Sequence, residues 1–335
     1  MSTNLLSGHS PDSTRGVRRM LAQAWAINRL MTATILLFAA LIPVVLVAMV
    51  VDPTVITGVN GWIKPLKFLL STLIYGGTFL WLLSFVRGRR RWVQVLANVT
   101  AAALLIEIAL IIMQVLRNTT SHFNAATPFD AIVFSVMGTA ITVLAVMNLI
   151  LAVLLLMQRM DDRVMAWGLR LAVISSFAGM LVAFLMTAGP TPSQRAALEA
   201  GEAVTAIGAH SVGVEDGGPG LPLVGWSTVG GDLRIPHFVG LHGLQVLVVL
   251  AWLLTRPAAR RRWDEKQRVA LVWIGGLAYM GWTGLLTWQA LRGQSIVAPD
   301  MLTWLAYAGL AGVTVLAVVV VGRRRSQTLS AAVVS

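Results

Sequence analysis

Glu107 stands inside an apolar run, Ala101-Ala102-Ala103-Leu104-Leu105-Ile106-Glu107-Ile108-Ala109-Leu110-Ile111-Ile112. A charged side chain at the middle of a membrane span costs roughly 2.5–3.5 kcal/mol on insertion scales, so it calls for a partner or a purpose. At 1.5 Å per residue it lies about 13 Å from the outer end of its span, beyond the reach of its own short side chain to water. Gln114, seven residues on, shares its helical face and extends a polar stripe. Lys64 and Lys67 in Trp62-Ile63-Lys64-Pro65-Leu66-Lys67 are three apart and put both amines on one face near the outer end of the preceding span. A Lys67–Glu107 ion pair is the simplest way to compensate both charges, either as part of a site or as glue between helices. Snorkelling to the interface is the competing reading of the lysines.

Apart from His9, every histidine falls at the same side of the predicted spans: His122 in Ser121-His122-Phe123-Asn124, His210 in a long connection, and His237 and His242 after Pro236. His122, His237 and His242 are the candidate ligands for a divalent metal, zinc or copper being the ions that suit imidazole. Five residues separate His237 from His242, about 140° around a helix, so they share an ion only if His237 precedes regular helix. The spacing is not that of a HExxH site. His242 and Gln245 do share a face. Haem needs axial ligands projecting from facing helices, and only His242 meets that condition. With no cysteine in the chain, thiolate metal sites, cysteine nucleophiles and disulfides are excluded.

The reading of the site takes Glu107, Lys67 and His242 as acid–base residues. Lys64, Gln114, Asn124, Trp226, Asp232, Arg234 and Gln245 are taken as groups that contact a substrate. The run Gly217-Gly218-Pro219-Gly220-Leu221-Pro222 with Gly225-Trp226-Ser227 and Gly230-Gly231-Asp232-Leu233-Arg234 has the glycine density of tight turns. It matches no phosphate-binding loop and no nucleophile elbow.

The elements that must position these residues are membrane helices. Of 335 residues 57% are hydrophobic and only 12% charged, too little polar surface for a soluble domain. Apolar runs near the length that crosses roughly 30 Å of hydrocarbon fall at about 31–51, 66–86, 93–116, 131–156, 165–188, 237–254, 269–291 and 301–322. The expected fold is an all-α, polytopic transmembrane helix bundle of eight spans. Of 26 Lys and Arg, 20 lie at the termini and on every second connection, which is the positive-inside pattern with both termini cytoplasmic. The net charge of +12 therefore marks topology, and nucleic acid is not an expected partner. The division is a cytoplasmic tail at 1–30, a bundle at 31–322 and a cytoplasmic tail at 323–335. The first span is a retained signal-anchor of a bacterial-type inner (plasma) membrane. The long connection at 189–236, extracytoplasmic in this scheme, carries a short predicted helix between Gln194 and Ile207 and is either a lid over the site or a solvated loop. The tryptophans Trp282, Trp288 and Trp304 read as an interfacial belt.

Ser121-His122-Phe123-Asn124, Gly225-Trp226-Ser227, Gly231-Asp232-Leu233-Arg234 and His237-Phe238-Val239-Gly240-Leu241-His242 together resemble a group of bacterial multi-pass membrane proteins with no assigned activity. The resemblance implies the fold and no chemistry. Haem A synthases also have eight spans and histidine ligands, but the fourth and eighth spans here carry no histidine. Three functions compete on these residues. One is a metal-assisted or acid–base membrane enzyme acting on a small molecule or lipid. The second is a proton-coupled or small-molecule transporter, and the third a haem-binding oxidoreductase or assembly scaffold. Membrane lipid is the one partner common to all.

Overall fold

The computed structural model describes residues 11–333, with side chains described for 16–323. Within the segment expected as a polar tail, the described residues form a helix α1 (Pro11–Ile27). Asn28 then breaks the chain, its side chain accepting from the Met31 amide to cap α2 (Arg29–Val51). A two-residue hairpin, β1 (Val55–Ile56) with β2 (Val59–Asn60), pairs antiparallel with Val55 opposite Asn60. It turns the chain into α3 (Ile63–Leu83), after which come α4 (Arg90–Leu116), α5 (Pro128–Met157) and α6 (Arg163–Met186). Thr127 caps α5 with Pro128 in its first turn, and Asp162 caps α6.

The long connection contains regular structure, although most of its residues are exposed. Its helix α7 (Pro192–Glu199) begins earlier than the sequence suggested, because Thr191 and Gln194 form a capping box, and it ends before Gly201. A second short hairpin pairs β3 (Ser211–Val212) with β4 (Gly231–Asp232). The chain then enters α8 (Arg234–Thr255), the short α9 (Pro257–Arg262), α10 (Glu265–Leu291) and α11 (Met301–Val333). Among the described residues eight helices, α2 to α6, α8, α10 and α11, are long and apolar enough to cross a membrane. The all-α bundle with eight spans expected from the sequence is what the chain forms.

The centre of the bundle is α6, which packs against α5, α8 and α10. Its closest approach is to α8, where a Cβ added to Gly179 would lie 2.5 Å from the Leu241 amide nitrogen. Only glycine on both helices, Gly179 and Gly240, lets the backbones meet in this way. The α2–α3–α4–α5 side is built from larger apolar residues such as Phe38, Leu69, Leu96 and Leu151. Helix α11 packs mainly on α10, and none of its apolar window is buried.

Candidate functional site

The site lies at the loop end of the bundle, where 189–236 meets the first turns of α3, the turn that follows α4 and the start of α8. Lys64 and Lys67 sit in the first turns of α3. The turn that follows α4 carries His122 directly over the α4 face on which Glu107 lies. His122 Nδ1 is 3.1 Å from Lys64 Nζ and 3.1 Å from Ser121 Oγ. Its Nε2 is 3.6 Å from Glu107 Oε1. A lysine ammonium can only donate, so Nδ1 accepts and the imidazole proton resides on Nε2, directed toward the carboxylate. The ring is fixed by Phe68, whose centroid is 5.6 Å away, and by Phe134. Burial, reinforced by the Lys64 and His210 charges, holds the His122 imidazolium well below the ordinary histidine range, so the neutral ring is the resident form.

Glu107 is 1% exposed, and neither of its oxygens has a hydrogen-bond partner. It is an unsatisfied buried carboxyl group beside one imidazole and one ammonium. The expected Lys67–Glu107 pair is not formed. Lys67 instead donates to the Val224 carbonyl at 3.2 Å, because the loop descends far enough to offer a carbonyl to the outward-facing amine. Lys64, the shallower lysine in the sequence, is the one turned inward toward Glu107 through His122.

The loop is tied to the turn beneath it. Asn124 bridges to Ala206, the Ile207 amide donates to the Phe123 carbonyl at 2.9 Å, and Phe123 meets His210 edge-on at 4.7 Å. The Asn124 side chain is spent inside its own turn on Thr119, Thr120 and Ala126. His210 donates from Nδ1 to Asp216 Oδ2 at 2.7 Å, and the same carboxylate accepts the His210 and Ser211 amides. Burial opposes ionisation of Asp216, but the hydrogen bonds from His210 and these amides outweigh it and hold the carboxyl far below the usual range. His210 is pushed down by burial, against the pull of Asp216.

Asp232 is 1% exposed and is bound by Arg234 and by the Ser227 amide at 2.8 Å, while Arg234 also donates to the Gly225 carbonyl. This pair pins the glycine-rich run to the start of α8. Gln114 joins Arg117, Asp130 and the Thr120 carbonyl in a network where α4 meets α5. Gln245 reaches from α8 to Thr78 of α3 at 3.1 Å. Trp226 packs edge-on against Phe238, which stacks on His242 at 4.0 Å.

The three histidines do not make a metal centre. Helix α8 starts at Arg234, so both His237 and His242 lie in regular helix and point about 140° apart. His237 Nδ1 donates to the Gly179 carbonyl at 2.8 Å and His242 Nδ1 to the Phe238 carbonyl at 2.8 Å. His122 is engaged with Lys64. Among the described residues no three His, Asp or Glu side chains come together in a group able to hold a metal ion. The zinc or copper site expected from His122, His237 and His242 therefore has no geometry to support it.

Sequence reasoning passed over the His122–Glu107 contact and the His210–Asp216 pair. The first was open to inference, since His122 follows the helix whose inward face carries Glu107. It also passed over Thr100, which continues the Thr100–Glu107–Gln114 ladder at intervals of seven residues. Fold and site together define a multi-span helical membrane protein with a buried carboxyl group, an imidazole and an ammonium in line beneath an ordered loop. No protein-family model, no curated protein and no solved structure matches the chain.

Proposed function

We propose that this chain is a bacterial-type plasma-membrane protein whose 189–236 loop faces outward, with both ends of the bundle cytoplasmic, and that its loop-end site works by acid–base chemistry. The observation that carries the reading is the line Lys64–His122–Glu107. In one transfer the Lys64 N–H bond breaks as Nδ1–H forms on His122, and Nε2–H breaks as O–H forms on Glu107. The ammonium and carboxylate become an amine and a carboxylic acid, and the imidazole ends neutral in its other tautomer. A desolvated carboxyl group beside a neutral imidazole suits general acid–base work. Lys67, half-buried with ammonium donors left over beyond Val224, is placed to receive the polar end of a small molecule or lipid entering under the loop. His242, beside Trp226 and Phe238, lines the same entry. The division of basic residues, 20 of 26 at the termini and on alternate connections, supports the orientation.

The reading makes Glu107 a titrating group in exchange with His122. Infrared spectra of the full-length protein in detergent, recorded across pH, should contain a buried carboxyl band that appears and disappears, that is lost in Glu107→Gln, and that shifts its midpoint in His122→Asn. A carboxyl spectrum identical in wild type and Glu107→Gln would overturn the proposal. A second reading, proton-coupled transport through the same residues, is favoured by the buried polar groups on the far side of Glu107.

A further inference from the structure

The Lys64–His122–Glu107 line ends about 13 Å inside the bundle, but the buried polar groups continue. Thr100 lies seven residues before Glu107 on the same face of α4, is fully buried, and has a hydroxyl with no hydrogen-bond partner. On α3 the Tyr75 hydroxyl is buried with only the Asn148 side chain of α5 turned to it, and the Asn148 side-chain oxygen is itself buried without a partner. The Asn148 amide faces Tyr75 and donates to Ser176 of α6 at 3.3 Å. Counted from the far ends of their helices, Tyr75, Thr100 and Asn148 all lie about 12–15 Å deep. Three spans thus bring polar side chains to one level. Below them, where α1 meets α2, Asn28 donates to Gln94 at 2.7 Å and to Asn98 at 2.8 Å, both on α4.

Among the described residues six buried side-chain atoms lack a partner, and five belong to Tyr75, Thr100, Glu107 and Asn148. Polar side chains that serve as glue between helices pair with one another or with carbonyls, as Gln245 does with Thr78. Each of these four keeps at least one lone pair or proton unspent although buried, even with the Asn148 amide given to Ser176 and turned to Tyr75, as groups lining a route for water and protons must.

We propose that Thr100, Tyr75 and Asn148 are the inner stations of a proton path, so that Glu107 is reached from both faces of the membrane and the acid–base site is one end of a transmembrane route. This rests on the acid–base reading of Glu107 and extends it. Thr100, Tyr75 and Asn148 do not ionise. They hold water molecules along which a proton hops, each hop forming one O–H bond as it breaks another. The groups facing Glu107 itself are Lys64 from α3 and His122 from the α4–α5 turn. Asp130 of α5 is held two turns outward by Arg117 and Gln114, and α2 offers no ionisable side chain beyond Arg29.

The test uses full-length protein reconstituted in one orientation in vesicles, with the Glu107 carboxyl band followed by time-resolved infrared spectroscopy after a pH jump on one face at a time. Wild type should respond to jumps on either face, the loop side being faster. Thr100→Val, which keeps shape, and Asn148→Leu should slow the response to the far face on the order of tenfold or more, with the loop-side response unchanged. A Glu107 band that answers only to the loop side in wild type overturns the path and leaves the acid–base site standing. A band that answers to neither face overturns both. Equal slowing from both faces in both variants would assign Thr100 and Asn148 to packing alone and also sink the path.

Discussion

The molecule holds two imidazole–carboxylate pairs within one site, and they are built in opposite ways. In the loop, His210 donates to Asp216 at 2.7 Å and two backbone amides complete the carboxylate's shell. Between the α4–α5 turn and α4, His122 stands 3.6 Å from Glu107, whose oxygens have no hydrogen-bond partner. The residue types are nearly the same, but the surroundings differ. A carboxylate whose lone pairs are already filled fixes a loop and has little left to exchange, whereas an unfilled one is a proton acceptor held at cost. Chemistry is therefore assigned to the second pair and architecture to the first.

The largest effect expected from this contrast is on stability. Asp216→Ala removes three hydrogen bonds to a charged group and should cost about 3 kcal/mol, read as a lower melting temperature in detergent together with faster proteolysis within 189–236. Glu107→Gln should do the reverse. It replaces a buried carboxyl group that accepts no hydrogen bond with a neutral amide and should leave stability unchanged or raise it by about 1 kcal/mol, while removing the titrating carboxyl. A loss in Glu107→Gln as large as that in Asp216→Ala would collapse the distinction.

The smallest expected effect is in the pH dependence. His122 is held neutral in the folded protein, so the unfolded chain takes up the proton first. That contribution to stability is present above the ordinary imidazole value of about 6.5 and is lost as pH falls below it, at no more than about 1.4 kcal/mol per pH unit. Asp216, held below the usual carboxylate range, contributes only to the slope below about pH 4. Between pH 6.5 and 5 the melting temperature should therefore decline less steeply in His122→Asn than in wild type. Parallel curves would mean that His122 is not kept neutral by its surroundings.

How much of this was legible depended on the range of the interaction. The eight spans follow from hydropathy and the spacing of arginines, since each helix satisfies its own backbone and needs no partner to be recognised. Glu107 was legible for the same reason, as a charge where lipid forbids one. The partner of Glu107 was not. Lys64 and Lys67 share a helical face, and which of them turns inward is decided by the Val224 carbonyl of a loop more than 150 residues away, as the separation in Lys67–Val224 shows. The metal site failed on a boundary: α8 begins at Arg234, three residues before the first apolar run suggested, which puts His237 into regular helix and turns it away from His242. Helix α1 was hidden because its arginines read as a topology signal, and polar residues spaced for an interfacial helix carry that signal equally well.

The glycine contact between α6 and α8 decides which parts of the bundle are free to move. Where Gly179 meets Gly240 there is no side chain to act as a bearing, so a slide or rotation of either helix drives backbone into backbone. His237 adds a bolt at the same level by donating to the Gly179 carbonyl. The two helices behave as a stator. Lys64, Glu107, Tyr75, Thr100 and Asn148 all lie on α3, α4 and α5, outside this locked pair, so that the proposed proton route is carried by helices that the glycine contact does not hold.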